Sequence, residues 1–422
     1  MGGIISVPLF LDSKGGAPMS PHAADAQPLT GSAPGSAPGS APGAAHAGHP
    51  TGPSSGTAPE PEVLVRREGR DGRLGRLTLN RPRAINALTA TMVALLDAAL
   101  RDWADDPTVT AVVIDGAGER GLCAGGDIRA IREAVLAGTP ERALAFWADE
   151  YRLNARIGRF PKPYIAIMDG IVMGGGIGVS AHGGVRVVTE RSVLSMPEVG
   201  IGFIPDVGGT WLLSHAPGEL GTHLALTAAR VGAADAITAG LADHYLPAEG
   251  IPDLLDALRH AADPAAAIAG FDFAAHTPAP GRLTADRTWI DELYRGDKVT
   301  EIVTALAASP VSAAGADAAE IGSKCPTSLA VTLRALRAAR SLTSLEAALD
   351  QEYRLARATL ATGDLVEGIR AAVVDKDRNP RWSPARLDEV DPAEIDRFFA
   401  PADQELGLAA ALTAASNHRY RA

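Results

Sequence analysis

Two acids stand in the segment Met196-Pro-Glu-Val-Gly-Ile-Gly-Phe-Ile-Pro-Asp-Val-Gly-Gly209, Glu198 and Asp206, with almost no other polar side chain around them. A carboxylate set among Ile201, Phe203, Ile204 and Val207 is costly to leave charged and unpaired, so such acids usually have a task. Two glycine-rich turns precede them, Cys123-Ala-Gly-Gly-Asp127 and Met173-Gly-Gly-Gly-Ile-Gly178. Glycine lets backbone N–H groups be aimed at a developing negative charge. Acids beside an oxyanion site point to acyl chemistry.

The elements that must position these residues follow from the spacing of apolar side chains. Val63–Arg67 and Leu74–Leu79 read as a hairpin around Glu68-Gly-Arg-Asp-Gly72. Met92, Leu95, Leu96, Ala99 and Leu100 have helical spacing, so a helix is predicted over 89–103 with Thr89 as its N-cap. Val109–Asp115 reads as a buried strand leading to the first glycine turn. A helix over 140–157 and the strand Tyr164–Met168 then lead to the second. Ile177 to His182 is expected to open a helix, and 185–189 and 192–195 to be short strands. This strand–turn–helix order predicts an α/β domain whose turns gather on one side of a sheet. Beyond Leu220 the pattern is mainly helical, including 328–340, 344–362 and 364–373.

Three consecutive Gly-Ser-Ala-Pro tetrads at Gly31 to Pro42 sit in an Ala/Gly/Pro/Ser-rich stretch without core-forming side chains. Residues 1–60 therefore read as a disordered tail, 61–270 as a catalytic core and 271–422 as a helical region completing the fold. The net charge of −11 in 422 residues argues against a nucleic-acid surface. No apolar run reaches the ~20 residues of a membrane span. Two cysteines, Cys123 and Cys325, imply no disulfide framework and favour a reducing compartment. No Arg occurs before Arg66, which speaks against an Arg-rich mitochondrial presequence. The Ala-, Arg- and Gly-rich composition suggests a bacterial, cytoplasmic protein. No His/Cys/Asp cluster has metal-ligand spacing, so no metal is expected.

Four stretches, Asn80-Arg-Pro-Arg-Ala-Ile-Asn-Ala-Leu88, Cys123-Ala-Gly-Gly-Asp-Ile128, Gly170-Ile-Val-Met-Gly-Gly-Gly176 and Pro197-Glu-Val-Gly-Ile-Gly202, resemble the crotonase (enoyl-CoA hydratase/isomerase) superfamily. Asp149-Glu-Tyr-Arg-Leu-Asn154, Pro205-Asp-Val-Gly-Gly209, Cys325-Pro-Thr-Ser-Leu329, Glu352-Tyr-Arg-Leu355 and the stretch Glu367 to Asp377 sharpen the likeness to its 3-hydroxyisobutyryl-CoA hydrolase branch. The resemblance implies a crotonase-type core of repeated ββα units with a helical C-terminal region. It implies Gly126 and Gly175 as oxyanion-hole donors, Glu198 and Asp206 as catalytic acids, and Glu150, Gly175, Glu198 and Asp206 as substrate contacts. Hydratases carry a second glutamate just after the triple glycine, where this chain has Gly178, so a poor hydratase is expected.

The implied reaction is hydrolysis of a short-chain 3-hydroxyacyl-CoA, preferably 3-hydroxyisobutyryl-CoA in valine breakdown. Coenzyme A would enter as part of the substrate and no further cofactor is needed. Superfamily members often form homo-oligomers, commonly trimers or pairs of trimers. Each residue also has a plainer reading: glycines that relieve turns, Asp206 as a helix N-cap, and Glu150 as a solvated helix acid near Arg152 or Arg156. His182 reads as a core or helix-end histidine and Cys123 as a small buried thiol. Arg129, Arg132 and Lys376 are candidates for coenzyme A phosphates. An enoyl-CoA isomerase using Glu198 alone and a non-catalytic acyl-CoA-binding protein are the competing functions.

Overall fold

Strands β1 (Val63–Glu68) and β2 (Leu74–Leu79) form the antiparallel hairpin, paired from Val63 with Leu79 to Glu68 with Leu74. Helix α1 (Ala90–Asp105) crosses to β3 (Ala111–Gly116), which lies parallel to β2. Helices α2 (Ile128–Leu136) and α3 (Glu141–Gly158) lead to β4 (Tyr164–Met168), parallel to β3. A tight turn then gives β5 (Ile171–Met173), the one-turn helix α4 (Gly175–Gly178), β6 (Val185–Val188) and β7 (Val193–Ser195). Helix α5 (Gly209–Ser214) follows, and β8 (His244–Tyr245) closes the main sheet in the order β1-β2-β3-β4-β6-β8. Strands β5 and β7 pair parallel in a separate two-stranded sheet. The structure is a computed structural model that describes residues 60–402 and 404–412, so nearly all of the expected tail lies outside the described residues.

The central strands are buried on both faces, which is why they read as continuous apolar runs. Alternation sorts their side chains: Val112 and Ile114 of β3 face one core with Met92, Leu96, Leu100 and Trp103 of α1. Ala111 and Val113 face the other, with Leu254, Leu255 and Leu258 of the helix Ile251–His260. Thr89 caps α1, its Oγ1 accepting the Met92 N–H at 3.1 Å, as its spacing predicts.

Helix α4 is shorter than predicted. The Tyr164 hydroxyl donates to the Val179 carbonyl and Ser180 Oγ to that of Gly176, so side chains take carbonyls that a continuing helix would use. The C-terminal helices Pro326–Ala339 and Leu345–Thr359 pack on α5 and α3, and the second reaches the turn that carries Asp206. No described helix is long and apolar enough to cross a membrane.

Candidate active site

The strap 85–88 fixes the first glycine turn. Ala124 N–H donates to Ile85 O, Leu88 N–H to Gly125 O and Asp127 N–H to Leu88 O, at 2.8–2.9 Å. Cys123 N–H donates to Ile171 O and Met173 N–H to Cys123 O, which lays the second glycine turn beside the first. The approach is close: a Cβ placed on Gly175 would lie 3.2 Å from the Gly126 nitrogen. Neither the Gly126 nor the Gly175 N–H donates a hydrogen bond among the described residues. Two neighbouring, unspent and fixed N–H groups are what an oxyanion needs.

Two carboxyls press on consecutive glycines at this point. A Cβ on Gly174 would lie 2.8 Å from Glu198 Oε1, and one on Gly175 would lie 2.6 Å from Glu150 Oε1. Any side chain at either position would displace an acid. Glu198 lies in the 3₁₀ turn Glu198–Ile201 and Glu150 in α3, and both are buried. Glu198 Oε2 and Glu150 Oε1 have no hydrogen-bond partner among the described residues. Burial, then the nearby Asp206 charge, holds both acids well above the usual carboxylate range. Glu150 is thus no solvated helix acid: Arg152 pairs with Asp149 and Arg156 with Asp97 instead.

Asp206 accepts a 2.7 Å hydrogen bond from the Tyr151 hydroxyl through Oδ2. Burial raises its carboxyl to about 7, while the Tyr151 bond works in the opposite direction. It is not a helix cap. Gly208 holds the N-cap position of α5, and the first N–H groups are taken by Glu352, which accepts from Gly208 N at 2.7 Å and Thr210 N at 2.9 Å. Thr210 Oγ1 donates to the same carboxyl. Burial pushes Glu352 up to about 8 against these bonds. Glu352 comes from the C-terminal helix Leu345–Thr359, and so ties that helix to the turn carrying Asp206.

The turn itself is unusual: Val207 has φ 53° and Gly208 φ 80°. A β-branched residue there is held only by its surroundings. The Val207 carbonyl accepts from His182 Nε2 at 2.7 Å, so the imidazole carries its proton on Nε2. Burial lowers His182 to about 4 and keeps it neutral. His182 positions the turn rather than the chemistry. From the other side, Phe203 stacks on Trp147 of α3 at 5.0 Å between ring centroids.

Gly178 explains the exchange of acids. A Cβ there would lie 2.6 Å from Val207 Cβ and 2.9 Å from Asn154 Nδ2. The volume that a glutamate at 178 would use is filled by the residue next to Asp206. Cys123 is buried and pushed up to about 12, an inert thiol. Arg129 and Arg132 donate to the Val373 and Val366 carbonyls, joining α2 to the C-terminal segment, while Lys376 is exposed. A cavity of about 350 Å3 opens beside Gly126, lined by Leu88, Asp127, Ile131, Ala134, Arg142 and Phe146 among others.

A family model described as "Enoyl-CoA hydratase/isomerase" matches residues 74–399. The "3-hydroxyisobutyryl-CoA hydrolase, mitochondrial" of Xenopus tropicalis is 40% identical over 336 residues, covering 78% of this chain and 86% of that protein. The Homo sapiens protein of the same name is 39% identical over 347 residues, covering 80% and 88%. Among solved structures, a carnitinyl-CoA dehydratase from Mycobacterium thermoresistibile is 53% identical with a TM-score of 0.76, covering 82% of this chain and 98% of that one. An enoyl-CoA hydratase from Rhodobacter sphaeroides is 43% identical, also with a TM-score of 0.76, covering 82% and 99%. The crotonase-type α/β fold expected from the motifs is therefore the observed one. The cytoplasmic expectation is corrected: it rested on composition and on the lack of Arg before Arg66, whereas these relatives are named as mitochondrial proteins.

Proposed function

Because this chain belongs to the enoyl-CoA hydratase/isomerase family, and aligns with 3-hydroxyisobutyryl-CoA hydrolases over most of their length, we propose that it hydrolyses short-chain 3-hydroxyacyl-CoA thioesters, with 3-hydroxyisobutyryl-CoA preferred. The observation that carries the reading is the exchange at the acids: no carboxylate fits at Gly178, and Asp206 stands on the turn that fills its space.

In this reading the thioester oxygen rests between the Gly126 and Gly175 N–H groups. Glu198 attacks the carbonyl carbon or removes a proton from the water that attacks it. The tetrahedral intermediate collapses with cleavage of the C–S bond and release of the coenzyme A thiolate. Water attack gives the acid directly, whereas Glu198 attack gives a mixed anhydride that water then hydrolyses to the acid and the Glu198 carboxylate. Glu198 has to lose its own proton first. Asp206, raised by burial to about 7 against the Tyr151 bond, is the neighbouring acid that can exchange that proton near neutral pH. The leaving thiol has a pKa of roughly 8.5 and needs little acid assistance. Glu150, buried beside Gly175, accepts the substrate's 3-hydroxyl. No further cofactor or metal enters these steps. A place in valine breakdown and a homo-oligomeric state belong to the same proposal.

The names of the two solved structures favour a second reading, hydration or dehydration of an enoyl-CoA. It meets the obstacle at Gly178, since adding water across a double bond calls for one group to activate water and another to deliver a proton. One experiment separates the two. Free thiol release from 3-hydroxyisobutyryl-CoA is followed beside absorbance loss from the corresponding enoyl-CoA. Thiol release without hydration is expected, and hydration without thiol release overturns the hydrolase reading.

A further inference from the structure

Asn154 lies on α3 one turn after Glu150 and is fully buried. Its Oδ1 and Nδ2 both lack a hydrogen-bond partner among the described residues, as does Glu150 Oε1. Leaving buried polar groups unpaired is costly, and native proteins rarely keep them so without a partner such as an ordered water. An apolar side chain of similar volume would fill the space without that cost. The two residues share one helix face, being four apart. Both look onto α4: Glu150 Oε1 approaches Gly175 and Asn154 Nδ2 approaches Gly178. The neighbouring polar groups are engaged elsewhere, Tyr151 with Asp206 and His182 with the Val207 carbonyl.

We propose that Asn154 and Glu150 together hold one buried water, and that Asn154 is thereby the positioning residue that sets the Glu150 carboxyl against the substrate's 3-hydroxyl. A water accepts from Nδ2 and donates to Glu150 Oε1, with its second proton available to Asn154 Oδ1 of the same amide or to a neighbouring acid. One molecule satisfies Asn154 Nδ2 and Glu150 Oε1, and Asn154 Oδ1 as well where that atom takes the second proton. Glu150 Oε1 is then occupied, and Oε2 is left to meet the hydroxyl. This rests on the reading of Glu150 as the hydroxyl acceptor. The amide also suits the place: it binds water without adding another ionisable group to a site already holding Glu150, Glu198, Asp206 and Glu352.

The test has two arms. A high-resolution crystal structure of the wild type is expected to show a water within about 2.7–3.2 Å of both Asn154 and Glu150. Its absence overturns the proposal whether or not any variant folds. The second arm measures kcat/KM for 3-hydroxyisobutyryl-CoA and isobutyryl-CoA in wild type, Asn154→Leu and Asn154→Ser, with thermal unfolding as the check on folding. Asn154→Leu keeps the volume and removes the polar atoms. It is expected to lower the hydroxyl preference about tenfold, the worth of one well-placed hydrogen bond, with isobutyryl-CoA little changed. Asn154→Ser keeps a hydroxyl for the water and is expected to retain most of the preference. Equal losses on both substrates, or a Leu variant with wild-type preference, overturn the positioning role. A wild type that does not prefer the hydroxylated thioester refutes the Glu150 reading itself. A preference that survives Asn154→Leu refutes only the role of Asn154.

Discussion

Gly178→Ala adds one methyl group at the point where the hydrolase and hydratase arrangements diverge. The new Cβ would stand 2.6 Å from Val207 Cβ and 2.9 Å from Asn154 Nδ2, where carbon contacts normally rest at ~3.5–4 Å. Neither neighbour is the loose end of a long side chain. Val207 is branched at Cβ and held at φ 53°, and Asn154 is enclosed in α3. Overpacking of this kind costs about 1–3 kcal/mol, or a fall in Tm of roughly 2–10 °C. The larger effect is on turnover. Relief of the contact has to move Val207, and Asp206 moves with it. A displacement on the order of 1 Å at a reacting group costs about 100-fold in rate. The assay pairs thermal unfolding with thiol release from 3-hydroxyisobutyryl-CoA. Gly315→Ala is the control, since a Cβ there meets nothing within 4 Å in the helix Ser312–Gly322. The control should match or slightly exceed wild-type stability. A Gly178→Ala enzyme with wild-type Tm and kcat would refute the argument, as would a Gly178→Glu enzyme that gains enoyl-CoA hydration.

Two further perturbations address the buried acids. The folded-state Asp206 carboxyl is raised from 3.8 to about 7, so the folded protein binds more protons than the unfolded chain in that interval. Its contribution is fully present below the unfolded value and is lost as pH rises through the folded one. Tm should therefore fall as pH rises from about 4 to 7, and fall less in Asp206→Asn; a pH series of melting curves checks this. Glu352→Ala leaves the Gly208 and Thr210 N–H groups buried without an acceptor, at about 1–3 kcal/mol each. That variant should lose both Tm and kcat while Glu352→Gln, which keeps an acceptor oxygen, loses less; equal effects in the two would count against an acceptor role.

Part of the site was legible because its cost is local. Acids in an apolar run and glycines in clusters are conspicuous along the chain, and Gly126, Gly175, Glu198 and Asp206 do come together in space. The strands and long helices were legible for the same reason, since alternation and helical spacing are short-range patterns. The supports of the site were not. Glu352 reaches Gly208 across 144 positions and Tyr151 reaches Asp206 across 55. Such contacts are set by how helices pack. The motifs Asp149 to Asn154 and Glu352 to Leu355 marked these segments without saying which side chain did what. Asn154 carried only one signal, a polar residue on the face of α3 that also holds Glu150. The length of α4 was misjudged in part because the Tyr164 hydroxyl, fifteen residues from Val179 and on another element, takes the Val179 carbonyl.

The central claim is that Glu198 acts on a thioester carbonyl held by the Gly126 and Gly175 N–H groups. The most direct measurement is kcat for thiol release from 3-hydroxyisobutyryl-CoA by Glu198→Gln, with substrate binding and thermal unfolding recorded on the same preparation. A folded variant that still binds substrate but turns over about 100- to 10,000-fold more slowly is the predicted result. Turnover within a few-fold of the wild type would contradict the account.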